Sequence, residues 1–184
     1  SVGMFVAKLI TANHSAEAAM QELARIDQEL PGKYYIQFYR GTCALALNDY
    51  DAAYDHFKQA LDLNPAGEDI PSIYSYMGVC LKEMGRYPEA LKVLATGASL
   101  DADRTDIYNL MGFCHFMLKE HETAIKYFSK VIELDPSSAI DYANIASNYR
   151  DLGNRQAAIE FYEVALSLDP SIEFARLNLE KLKQ

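Results

Sequence analysis

The sequence has no tryptophan, only three cysteines, six prolines and nine glycines in 184 residues, and too few cations to balance its acids. Each shortage excludes something. Three cysteines are too few for a disulfide scaffold, and an odd count fits free thiols in a reducing compartment, so a cytoplasmic location is expected. Modest glycine and proline exclude collagen-like and low-complexity chains, and 50% hydrophobic residues exclude a disordered one. Seventeen Lys and Arg against 26 Asp and Glu leave a formal charge of −9. Phosphate binding needs clustered cations that release counterions, so no nucleic-acid partner is expected and protein partners are favoured. Long apolar runs are also missing. The stretch Met4 to Ile10 is broken by Lys8 and falls far short of the roughly 20 residues that cross a bilayer, so no membrane insertion is expected. No basic region precedes it, as a signal peptide would require. A start of Ser1-Val2-Gly3-Met4 reads as a processed chain, a tag remnant or a domain of something longer.

What is present is a period. Tyr39-Arg40-Gly41, Tyr76-Met77-Gly78, Leu110-Met111-Gly112 and Asn144-Ile145-Ala146 align at spacings of 37, 34 and 34 residues. In the same register stand Ala53, Ala90, Ala124 and Ala158, then the large residues Phe57, Leu94, Phe128 and Tyr162, then Pro65, Ala102, Pro136 and Pro170. Within one repeat Ile107, Leu110, Met111, Cys114, His115 and Leu118 form one stripe of a helix. Gly112 and Ala124 supply the small surfaces that let two helices approach, Phe128 fills the gap beside them, and Asp135-Pro136 stops the second helix. Gly85 and Gly153 mark the turn between helices in two repeats.

These landmarks resemble the tetratricopeptide repeat, whose pattern recurs about every 34 residues with an aromatic, a large apolar residue and Gly, then Ala, Phe and Pro. Tyr74, Tyr108 and Tyr142 take the place usually held by Trp, and Gln37 and Arg40 depart from the pattern. The resemblance implies an all-α, right-handed superhelical solenoid of stacked antiparallel helix pairs. Its repeats are expected at 34–70, 71–104, 105–138 and 139–172, after a degenerate repeat over 1–33 that carries Ala19, Leu23 and Pro31. Residues 173–184 are expected to cap the stack, with Phe174, Leu177 and Leu182 inward. The longer first spacing places its extra residues in Ala66 to Ile70, read as a loop extension in which Asp69 caps the next helix and Pro71 sits in its first turn.

No Gly-rich phosphate loop, G-x-S-x-G elbow or paired-cysteine zinc signature occurs, and His14, His56, His115 and His121 belong to no motif. Cys43, Cys80 and Cys114 fall at one repeat position. Successive equivalent helices stand roughly 8–10 Å apart, beyond the disulfide range of about 4.4–6.8 Å, so these thiols read as small core residues. An enzyme is not expected, nor a metal or other cofactor.

Function is expected on the concave face, which in the family is lined by first helices. Carried over position by position, the resemblance implies ligand-facing places at Tyr35, Phe38 and Thr42, then Ser72, Ser75 and Val79, then Asp106, Asn109, Phe113 and Phe116, and last Ile140, Ala143, Ser147 and Arg150. The cationic clamp that some members use for a terminal carboxylate needs Lys or Arg, together with Asn, at such places, which here hold Phe38, Thr42, Ser75, Val79 and Asn109. An adaptor or scaffold that binds an apolar peptide or helix is the better expectation. The alternative is a self-assembling solenoid or the interaction domain of a larger protein. Val2, Met4, Phe5, Val6, Leu9 and Ile10 surround most of the first helix, wider than one apolar stripe, so a twin subunit or a neighbouring domain would cover them. Acid is concentrated over 34–70, where Arg40 and Lys58 face Asp49, Asp51, Asp55, Asp62, Glu68 and Asp69 for a net −4. That charge is expected to lie away from the groove, as a solubility device or a secondary contact for a basic partner.

Overall fold

The computed structural model describes residues 15–184, so the candidate assembly face Val2, Met4, Phe5, Val6, Leu9 and Ile10 lies outside the described residues. Among the described residues there are ten α-helices, one 3-10 turn (Gly67–Asp69) and no strand, and no helix is long and apolar enough to cross a membrane. The chain divides into two compact units at Asp101. The first contains α1 (Ala16–Glu29), α2 (Tyr34–Ala46), α3 (Tyr50–Asp62), α4 (Ile70–Glu83) and α5 (Tyr87–Leu100). The second contains α6 (Thr105–Met117), α7 (His121–Leu134), α8 (Ala139–Asp151), α9 (Arg155–Leu168) and α10 (Glu173–Lys183).

One turn chemistry joins each first helix to its second. Asn48, Gly85, Lys119 and Gly153 all adopt positive φ, between 58° and 78°. The residue after each donates its N–H to a carbonyl five residues back: Asp49 to Ala44, Arg86 to Leu81, Glu120 to His115 and Asn154 to Tyr149, at 2.8–2.9 Å. This is the Schellman closure, in which a left-handed residue ends the helix and frees the chain to reverse at once. Two of the four donors also cap the second helix of their hairpin, Asp49 accepting from the Ala52 N–H and Asn154 from the Ala157 N–H. Connections this short make the paired helices antiparallel neighbours.

Each hairpin is held at a crossing of unequal partners. A Cβ added to Gly41 would meet the Phe57 ring at 2.7 Å, one on Gly112 would meet Phe128 at 2.8 Å, and one on Gly78 would collide with Leu94. In the fourth hairpin Ala146 and Tyr162 occupy these places, both fully buried. The facing alanines Ala53, Ala90, Ala124 and Ala158 are also fully buried. Within each unit, hairpins then stack by second helix on next first helix. Ala53, Phe57 and Ala60 of α3 share a cluster with Ile73, Met77 and Cys80 of α4, and Ala124 and Phe128 of α7 pack with Ile145 of α8.

The terminal helix is phased differently from expectation. Ala175 is buried and Leu179 and Leu182 pack on the last core cluster, while Phe174 and Leu177 are 39% and 42% exposed. A stripe through 175, 179 and 182 follows i, i+4, i+7 and leaves no room on that face for Phe174 or Leu177. Of the three residues expected inward, only Leu182 is.

The crossing contact has a measurable signature. Gly112→Val should cost about 1–3 kcal/mol by overpacking against the Phe128 ring. In a Phe128→Ala background the same change should cost little, because the cavity accepts the new methyl groups. Urea titration of the four proteins of this cycle measures the coupling, and additive losses would show that the two residues do not share the space.

Candidate functional site

Each unit has a hollow walled mainly by first helices. In the second unit it measures about 260 Å³. Phe113 and Phe116 of α6 and Phe128 of α7 form one wall, Asn144, Ser147, Asn148 and Arg150 of α8 another, and Phe174 and Asn178 of α10 close it. Its polar groups are largely committed to fixed directions. Ser147 donates its hydroxyl proton to the Ala143 carbonyl at 3.0 Å, so its 2.8 Å contact with Tyr162 is accepted from the phenol. Burial raises the Tyr162 phenol and keeps that proton in place. Asn148 donates from Nδ2 to the Asn144 carbonyl, so its Oδ1 accepts from Nδ1–H of His121 at 3.0 Å. His121 in turn meets the Phe116 ring edge-on, centroids 5.7 Å apart. Arg150 is paired with Asp151 at 2.7 Å. Ring surface is therefore a large part of what the hollow leaves accessible, and Phe113 and Phe174, 36% and 39% exposed, both line it.

In the first unit the hollow measures about 390 Å³ and is almost entirely aromatic: Tyr34, Tyr35, Phe38 and Tyr39 of α2, Tyr76 and Ser72 of α4, and Asp69 before α4. Phe38 is its centre, edge-on to Tyr39 at 5.6 Å and to Tyr76 at 5.4 Å, while Tyr76 stacks on Phe57 at 5.3 Å. The Tyr34 phenol donates to Asp69 Oδ2 at 2.6 Å. That bond, reinforced by burial, raises the Tyr34 phenol. Asp69 makes no side-chain cap to α4, contrary to the expectation from sequence, although Pro71 does stand in its first turn. The three extra residues of this repeat form a 3-10 turn that delivers a carboxylate to an aromatic wall. Asp69 thus faces the hollow, where the acid of this repeat was expected to lie elsewhere.

Of the expected ligand-facing residues, Tyr35, Phe38 and Ser72 line the first hollow and Phe113, Phe116, Ser147 and Arg150 the second. Ile140 is exposed outside both, and Val79 is half-buried outside both. Ser75 and Ala143 are buried and line neither hollow. Thr42 donates to the Tyr39 carbonyl. Asp106 is paired with Arg104 at 2.7 Å. Asn109 donates to Asp141 at 2.6 Å, and Asp141, 2% exposed, also accepts from Ser138, so Asn109 ties α6 to α8. Phe174 and Asn178 carried no groove signal because they come after the last repeat, and Asp69 none because it lies in an insertion.

Among the described residues, the histidines and cysteines have structural surroundings. His115 contacts Glu120 at 2.6 Å and stacks on Tyr127 at 5.2 Å. Cys43, Cys80 and Cys114 are buried thiols outside any disulfide, and desolvation raises the first and pushes Cys80 up to about 12. The departures at Gln37 and Arg40 build a polar clasp. Gln37, buried, donates from Nε2 to Asp27 of α1 at 2.8 Å and accepts at Oε1 from His56 Nδ1 of α3 at 3.0 Å. Arg40 reaches the same Asp27 carboxylate at 3.3 Å.

Family models described as tetratricopeptide repeat match residues 13–68, 44–114, 105–138 and 142–172. Solved structures share the fold. YrrB, described as a TPR protein with an unusual peptide-binding site, is 22% identical, with TM-score 0.79 over 96% of this chain and 89% of its own. MamA from Desulfovibrio magneticus RS-1, residue 41 to its end, is 20% identical, with TM-score 0.82 over 91% and 93%. The first TPR of Spaghetti (RPAP3), bound to the HSP90 peptide SRMEEVD, is 22% identical, with TM-score 0.61 over 63% and 92%. No curated protein sequence matches the chain. At such identities the likeness is one of fold.

The clasp predicts a pH dependence. Burial, then the nearby Arg40 charge, lowers the His56 pKa below its ordinary 6.5, so the folded chain holds this ring neutral while the unfolded chain protonates it first. Stability from this group is complete above pH 6.5 and declines as the pH falls through 6.5 toward the lower folded value. Denaturation midpoints at several pH values should therefore fall more steeply between about pH 7 and 5 in the parent than in His56→Gln. Parallel curves would contradict the neutral ring.

Proposed function

The chain belongs to the tetratricopeptide-repeat family, and from that premise we propose that it is a non-catalytic adaptor or scaffold that binds an apolar peptide or helical segment. The observation that carries this reading is the hollow lined by Phe113 and Phe174, which are 36% and 39% exposed, with Ser147, Asn148 and Arg150 beside them held in internal bonds. Aromatic surface of that kind gives binding energy by burial and costs little conformational entropy. Two structural neighbours support a peptide as ligand, one described by its peptide-binding site and one bound to SRMEEVD. The ligand here differs in character. SRMEEVD ends in acidic residues, whereas this chain carries −9 and offers Phe38, Thr42, Ser75, Val79 and Asn109 where a carboxylate clamp needs cations.

Selection of randomised dodecamer peptides displayed on phage against the full chain should enrich aromatic and aliphatic residues. Phe113→Glu and Phe174→Glu should each weaken the selected peptides about 30-fold, the loss typical of an anchor residue at an interface. Both variants should keep the helical circular dichroism of the parent. Undiminished affinity in both folded variants would sink the proposal.

A further inference from the structure

We propose that the aromatic hollow of the first unit receives the guanidinium of an arginine carried by a bound peptide, a reading that rests on peptide binding by the chain. Ring faces carry negative electrostatic potential and attract cations within about 6 Å of their centroids. Five rings line this hollow, those of Tyr34, Tyr35, Phe38, Tyr39 and Tyr76, and none of its lining residues is a cation. Asp69 adds a full negative charge in the same wall. The bond from the Tyr34 phenol orients its carboxylate without exhausting the roughly four acceptor positions that a carboxylate offers.

The carboxylate decides the chemistry of the occupant. An apolar side chain seated here would cover Asp69 and strip its water with nothing in return, and an acidic one would add repulsion. A cation avoids both penalties. Arginine suits the site better than lysine, because a planar guanidinium stacks on rings while its N–H edge meets a carboxylate, and it gives up its hydration more readily. The immediate neighbour in sequence agrees in sign, since Glu68 stands exposed next to Asp69. The register agrees as well: the one spacing of 37 rather than 34 is the one that brings Asp69 to Tyr34.

Amide NMR shifts of the full chain test this with the blocked peptide acetyl-Ala-Ala-Arg-Ala-Ala-amide, its lysine and citrulline versions, and N-acetyl-arginine methylamide. Citrulline keeps the shape of arginine and removes its charge. The arginine peptide should give saturable shifts at Tyr35, Phe38, Ser72 and Tyr76 and bind about 3- to 30-fold more tightly than the citrulline peptide, the range expected of a cation over aromatic faces. Asp69→Asn, which keeps an acceptor for the Tyr34 phenol, and Tyr39→Leu should each erase most of that preference. Equal binding of the two peptides, absence of saturable shifts, shifts mapping elsewhere, or a preference that survives Asp69→Asn would overturn the proposal. Tighter binding of lysine would overturn the choice of arginine, and equal binding of N-acetyl-arginine methylamide would reassign the hollow to a small cation. If the arginine peptide fails while selected apolar peptides still require Phe113 and Phe174, this proposal falls alone. If those fail too, the peptide-binding reading falls with it.

Discussion

The ring of Phe128 lies where a side chain on Gly112 would have to stand, and Phe57 stands in the same relation to Gly41. This exclusion sets how closely the two helices of a hairpin cross, and with it the height at which the next hairpin can rest. Leu94 on Gly78 and Tyr162 beside Ala146 solve the same problem with other volumes. A close crossing buries one stripe of each helix within its own hairpin. The second helix then turns a further face to the next first helix, as Phe57 and Ala60 do toward Ile73 and Met77. The remaining first-helix face is left over from the crossing, and both hollows are built largely from it, the second completed by Phe128 of α7 and by α10.

Because the turn is closed by the backbone, it makes little demand on sequence. A left-handed residue and then one donated N–H reverse the chain at Asn48, Gly85, Lys119 and Gly153 alike. A lysine tolerates that conformation at a cost that the packed crossing beside it offsets. Binding surface is likewise secondary to packing. Asn109 and Asp141 hold α6 to α8, and His121 and Asn148 brace α7 against α8. With those polar groups engaged, the second unit presents rings beside Arg150 and Asn178, and the first presents rings with one carboxylate.

The repeat was legible from residues because its signal is steric: small residues and their large partners recur in register, and the burial of Ala53, Ala90, Ala124 and Ala158 is a direct consequence. Where function departs from the repeat, periodicity loses its hold. Asp69 sits in an insertion, so no register assigns it a face, and its local context reads equally well as a helix cap. Phe174 and Leu177 lie beyond the last repeat, where Ala175, Leu179 and Leu182 fix the phase of α10. Ser75 and Ala143 occupy positions that face ligands in the family pattern but are buried here. Gln37 and Arg40 break the pattern for a reason that spans three helices, since their partners Asp27 and His56 lie on α1 and α3.

The central claim is that crossings and stacking leave one face of the first helices, with α10, to meet a partner. Amide hydrogen exchange of the full chain, with and without a saturating peptide selected on the second hollow, tests it most directly. Slowed exchange should appear in α6, α8 and α10, around Phe113, Ser147 and Phe174, while the exposed faces of α7 and α9 exchange as before. Protection confined to α7 and α9 would contradict the account.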